Sequence, residues 1–179
     1  MRAILKPAEA SLFFRLQPGE QAHSIDVLHN LIERGEAYPD LWVAALLHDV
    51  GKSCYPLNLW ERVWIVLGKA IFPEKVNRWG SEYANMELSS GNKLRAPFWR
   101  RPFVVAVLHP EWGARLAETA GSSPMVVSLI RRHQDAGSRP GDVNSPTGSS
   151  PCLRDDGSQP SRENENQLLI SLKAVDEES

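Results

Sequence analysis

Apolar residues recur at helical intervals along most of the chain, and no run shows the strict alternation of a half-buried strand. Residues 21–34 place Ile25, Leu28, Leu31 and Ile32 on one side of an amphipathic helix, with His23 in its first turn and Gly35 beyond it as a stop. Leu41 to Leu47 is apolar all round, the pattern of a helix buried on every side, and it runs straight into His48 and Asp49 before Gly51 ends or bends it. A carboxylate at the mouth of so apolar a helix is costly to desolvate alone, so Asp49 is expected to keep a cation or several donors close by. Trp60, Trp64, Leu67 and Ile71 share a helical spacing that predicts a further helix over 58–72, whose tryptophan-rich stripe reads as core in preference to a membrane anchor.

The second half continues the helical pattern. The His109-Pro110 step predicts a boundary, because a residue before proline avoids the α region while proline suits the first helical position; a helix is expected from Pro110 to about Thr119, stopping before Gly121. Pro124 starts the next, with Val126, Leu129 and Ile130 in an apolar stripe that His133 continues, so His133 faces inward. Between Ala136 and Arg162, fourteen of 27 residues are Gly, Pro or Ser, which predicts a flexible loop over 136–163. A C-terminal helix is expected over 164–179, with Leu169, Leu172 and Asp176 on one face. A carboxylate in that register needs a partner. The pattern as a whole predicts an all-α fold of one domain over 1–179, with 54–101 as a tryptophan-rich insertion or lid.

Composition changes this picture in three places. A net charge of −2 gives no overall pull toward nucleic acid polymers, so an anionic ligand must be attracted locally. Residues 61–101 hold eight Lys or Arg against four Glu, and four of the six tryptophans lie between 58 and 101, which marks this segment as a lid or partner surface; membrane contact through 58–101 is the less favoured reading. Two distant cysteines, Cys54 and Cys152, the mixed start Met1 to Ala10 and the lack of any run of 18 apolar residues lead to the expectation of a cytoplasmic protein with free thiols. Cys54 itself is expected to be buried and inert.

The chemistry lies in six residues. Four of the five histidines, His23, His48, His109 and His133, are joined by Asp49 and Asp176 in a set of metal-ligand types, and Lys52 follows His48-Asp49-Val50-Gly51 as a positive charge suited to phosphate. His29, six residues after His23, points to another side of its helix and stays outside the set. The order of these residues, with Leu47-His48-Asp49-Val50-Gly51-Lys52, His109-Pro110-Glu111-Trp112-Gly113-Ala114 and Ile130-Arg131-Arg132-His133 around them, resembles the HD-domain metal-dependent phosphohydrolases. The resemblance covers roughly residues 20–53, 103–135 and 165–179.

That resemblance implies a helical bundle with a central site. His23, His48, Asp49 and Asp176 would hold one metal, His109 and His133 a second, and Asp49 would bridge the two. It further implies iron or manganese, one or two ions, with a metal-bound hydroxide attacking a phosphomonoester or phosphodiester, a nucleotide or cyclic dinucleotide among the candidates, while Lys52 positions the phosphate. Asp49 and Lys52 are then the catalytic residues. The sequence has His133-Gln134-Asp135 where the HD-GYP branch shows His-His-Glu, and the Gly-Tyr-Pro word is missing, so it does not read as a typical member of that branch. The alternative is a non-catalytic module of the same fold that senses a nucleotide or contacts a protein partner.

Overall fold

Helix starts in this chain are set by proline and glutamate. The computed structural model describes residues 4–71, 75, 97, 99–135 and 159–179, and among these there are seven helices, one 3-10 turn and no strand. They are α1 (Pro7–Phe13), α2 (Pro18–Glu33), α3 (Pro39–Leu47), the 3-10 turn Val50–Cys54, α4 (Leu59–Ile71), α5 (Arg101–Thr119), α6 (Pro124–Arg132) and α7 (Gln159–Asp176). Six of the seven carry proline in their first two positions, where its missing N–H has no helical partner to lose. In α1 and α2 the third residue, Glu9 or Glu20, accepts a hydrogen bond from the backbone N–H of the residue before the helix, at 2.8 and 3.1 Å. α4 begins with a reciprocal pair, Asn58 and Glu61 each accepting the other's backbone N–H.

Two helices end as the glycines predict. Gly35 and Gly121 take φ of 80° and 77°, and the following Glu36 and Ser122 donate back to Leu31 and Ala117, closing the last turns of α2 and α5.

The core gathers Val27 and Leu31 of α2, Leu41 to Leu47 of α3, Ala114 and Ala117 of α5, Leu129 and Ile130 of α6, and Leu169, Leu172 and Val175 of α7. α3 is buried on nearly all sides, in accord with its unbroken apolar run. It packs on α2 and α6, and the 3-10 turn after it lies on α5. α7 closes the other side against α2 and α6, held by Arg132 and Ser128 to Glu165, by Ser171 to Glu36 and by Arg34 to Glu178.

Several sequence expectations are corrected here. Pro110 does not begin a helix: α5 runs through it from Arg101 to Thr119. The missing N–H of Pro110 costs one helical hydrogen bond, but Phe103, Val104, Val105, Leu108, His109, Gly113, Ala114 and Ala117 are all buried along α5, and this packing outweighs the local cost. The inward face of α2 is Glu20, Ser24, Val27, Leu28 and Leu31, leaving Ile25 and Ile32 exposed. α1, which the sequence analysis does not predict, adds Leu12 and Phe13 to the core. α7 starts at Gln159, before the expected 164, so the end of the predicted 136–163 loop is helical; the rest of it, 136–158, and residues 72–74, 76–96 and 98 of the predicted lid lie outside the described residues. Cys54 is exposed rather than buried. The tryptophan stripe of α4 is not core: Trp60, Trp64, Leu67 and Ile71 are exposed.

Candidate metal centre

His48 stands where α3 ends, and helix ends leave carbonyls without partners. Its Nδ1 donates to one of them, Ala45 O, at 2.8 Å. His133 occupies the same place after α6, with Nδ1 donating to Ile130 O at 2.7 Å. His109, inside α5, donates from Nδ1 to Val105 O at 3.0 Å. A carbonyl can only accept, so each of these Nδ1 atoms carries the proton and each Nε2 presents a lone pair. All three Nε2 atoms are buried and without a hydrogen-bond partner. Buried polar atoms are seldom left so, and three that converge within one cluster point to a ligand they share.

Asp49 lies between them. Its Oδ1 is 3.4 Å from His109 Nε2, while its Oδ2 is 3.6 Å from His48 Nε2 and 2.5 Å from Lys52 Nζ. Asp176, the last residue of α7, puts Oδ1 2.8 Å from His23 Nε2 and 3.2 Å from His48 Nε2. His48 and His133, and His133 and His109, have ring centroids 5.3 Å apart. Two groups result, His23, His48 and Asp49 on one side and Asp49, His109 and His133 on the other, each with ligand atoms within 4.8 Å of one another. All six residues of the predicted set are thus brought together, and Asp49 belongs to both groups. Glu177, next to Asp176, is exposed, as is His29.

These distances fit divalent cations. An octahedral ion with bonds of about 2.1 Å sets adjacent ligand atoms about 3.0 Å apart, and the ligand pairs above span 2.8 to 3.6 Å. The backbone agrees with the side chains: α3, α6 and α7 all bring their C-terminal ends to the cluster, and that end of a helix carries partial negative charge.

The titration behaviour has the same origin. Burial pushes the Asp49 carboxyl up, but His48, His109 and Lys52 more than offset it and hold the group well below the usual carboxylate range. Burial also pushes Asp176 up, and its hydrogen bond with His23 and the close approach of His48 bring it far down. His48 is raised because Asp49 and Asp176 overcome the burial that would lower it. Burial, with His48 and His109 as neighbours, lowers His133 to about 3, so its imidazole stays neutral and able to bind metal.

Beside the second group lies a cavity of about 210 Å³ lined by Lys52, His109, Gln134, Glu20 and the apolar Leu57, Ile65, Val66, Val105 and Ala106. Sequence reasoning did not find the α4 contribution to this cavity, since Ile65 and Val66 lie off the stripe it followed. Nor did it find the three carbonyls that orient the imidazoles, which have no residue-type signal at all. Arg101 donates to Tyr55 Oη at 3.1 Å. Arg100 packs its guanidinium over the Trp99 ring.

Comparison with family models, with characterised proteins and with solved structures finds no match to this chain.

Proposed function

We propose that this protein is a metal-dependent phosphohydrolase of the HD type, cleaving a phosphomonoester or phosphodiester, with nucleotides and cyclic dinucleotides the first class to test. The observation that carries the reading is the set of three buried imidazoles, each locked through Nδ1 to a backbone carbonyl, whose Nε2 atoms face the two oxygens of one buried carboxylate. Such orientation of ligand histidines by hydrogen bonds at the other ring nitrogen is the usual support of a metal site. His23, His48, Asp49 and Asp176 would hold one ion, and Asp49, His109 and His133 the other. With iron or manganese bound, the site gains Lewis-acid stabilisation of phosphoryl oxygens and a nucleophilic water that is active near neutral pH.

The chain's own residues do the rest. Asp49 ties the two histidine groups together and accepts from Lys52, which also borders the cavity. Lys52 can therefore lend its ammonium to a substrate phosphate as a point charge while Asp49 keeps it in place. The apolar wall from Leu57, Ile65, Val105 and Ala106 limits water beside the reacting group, which strengthens each charge contact there. No protein nucleophile is required.

Metal analysis of the purified protein, followed by assay against nucleotides and cyclic dinucleotides with manganese or ferrous iron, tests the proposal. His48→Ala and Asp49→Ala are expected to reduce turnover to background with the helical circular dichroism retained. Hydrolysis by metal-free protein would overturn the mechanism. A fully loaded protein that hydrolyses none of the panel would favour the non-catalytic sensing module.

A further inference from the structure

The wall of the cavity changes character within one turn of α5. His109 belongs to the second histidine group, and Val105 and Ala106, one turn before it on the same side of the helix, line the same cavity. Lys52, held to Asp49, borders the cavity with His109 and marks its polar end. Beyond these two the wall is largely aliphatic. Leu57, Val105 and Ala106 are buried, and α4, like every described helix too short or too polar to cross a membrane, adds the half-buried Ile65. Val66 and Gln134 line the cavity and are exposed, so they mark its mouth.

Size and lining together say what such a cavity takes. Its volume of about 210 Å³ is below the range of about 300–1,000 Å³ typical of pockets that enclose a drug-sized ligand. Among the described residues that line it none is aromatic, so it offers a nucleobase no ring to stack on. A base would also bring polar edges against Leu57, Ile65, Val105 and Ala106, whose side chains cannot pair them, and an unpaired polar group out of water is costly. A short aliphatic chain carries no such cost, and it gains by leaving water.

We propose, resting on the phosphohydrolase reading above, that this cavity receives the alcohol portion of a phosphomonoester and selects a short aliphatic carbon body, leaving the base of any nucleotide outside the mouth. The phosphate lies at the Lys52 and His109 end. On cleavage, water gives its hydroxyl to phosphorus, the ester P–O bond breaks, and the alcohol takes the remaining proton as it leaves. Nucleoside monophosphates that differ only in their base are therefore turned over alike.

Calorimetric titration of the manganese-loaded full chain with inorganic phosphate and with n-butyl phosphate separates binding in the cavity from chemistry. Expected is binding of n-butyl phosphate at least about tenfold tighter, the gain from burying about two methylene groups. Ala106→Phe fills the aliphatic end from a buried position, and Val66→Trp narrows the mouth from an exposed one. Each should remove most of that advantage, with circular dichroism and bound metal as the checks on folding; if Ala106→Phe does not fold, Val66→Trp carries the test. Equal or absent binding of the two ligands, an advantage that the folded variants keep, or turnover that depends strongly on the base would overturn the proposal. n-Butyl phosphate bound with the expected advantage but never hydrolysed supports the cavity assignment and counts against the hydrolase reading, whereas ester hydrolysis indifferent to the carbon body does the reverse.

Discussion

Gly51 decides where His109 can stand. A Cβ at this position would lie 1.9 Å from His109 O and 2.7 Å from Gly113 N, both backbone atoms that no rotamer change can move. The 3-10 turn therefore meets α5 backbone to backbone, and that contact sets Asp49 opposite His109. Gly51→Ala is expected to lose about 1–3 kcal/mol or more of stability through overpacking, and to weaken metal binding at the His109 side by pushing α5 away. Gly19→Ala is the control, because nothing lies within 4 Å of a Cβ there; chemical denaturation and metal titration of both variants check the contrast. If each histidine group holds an ion, as proposed, His109→Ala with His133→Ala should lower the bound metal from two ions to one, countable by elemental analysis, because the groups share only Asp49. The six ligand-type residues were legible from their order in the sequence, but the glycine contact was not. Gly51 read as a helix stop because a tertiary close approach leaves no trace in local pattern.

At the scale of elements, α7 places Asp176 and is held at both ends. Leu168, Leu169, Leu172 and Val175 bury its inner face, and Glu165 accepts from Arg132 at 2.7 Å and from Ser128 at 2.5 Å near its start. Leu172→Ala should cost about 2–5 kcal/mol, read by denaturant unfolding, and loosen the Asp176–His23 contact with it. Burial pushes Glu165 up, yet Ser128 and Arg132 hold its carboxyl below the ordinary 4.5. A carboxylate with a depressed folded pKa contributes stability that is present above its unfolded value and is lost as pH falls through the folded one. Glu165→Gln should therefore flatten the loss of stability below about pH 4.5, by no more than about 1 kcal/mol because the pair is partly solvated; melting curves across that range check it. The helices that the apolar pattern revealed, α2, α3, α4, α6 and α7, have an apolar run or stripe and a proline or cap at the start. α5 was divided in the sequence because Pro110 is a strong local signal, and only burial on its neighbours overrides it. α1 was missed, although Pro7 with Glu9 repeats the Pro-x-Glu start that opens α2.

For the molecule as a whole, the fold and the candidate metal centre are linked. α2, α3, α5, α6 and α7 each contribute at least one residue to the cluster, so a ligand held there links five helices that are separate in sequence. The three helix ends, the buried Asp49 and the half-buried Asp176 gather negative character that Lys52 offsets only in part, and a cation is the natural complement. A ligand that binds only the folded chain stabilises it by mass action, about 2.7 kcal/mol when free ion is a hundredfold above its dissociation constant. For a chain of this size each kcal/mol shifts the melting temperature by about 2–4 °C. Manganese or ferrous iron should therefore raise the melting temperature by about 5–10 °C over protein stripped with a chelator, and Asp49→Ala should abolish most of that response. The sign is fixed by where the ion binds: addition must raise the midpoint and chelation must lower it. Scanning calorimetry with and without metal reads the effect, and a midpoint indifferent to both treatments in the parent protein would mean that the convergent imidazoles hold no ion.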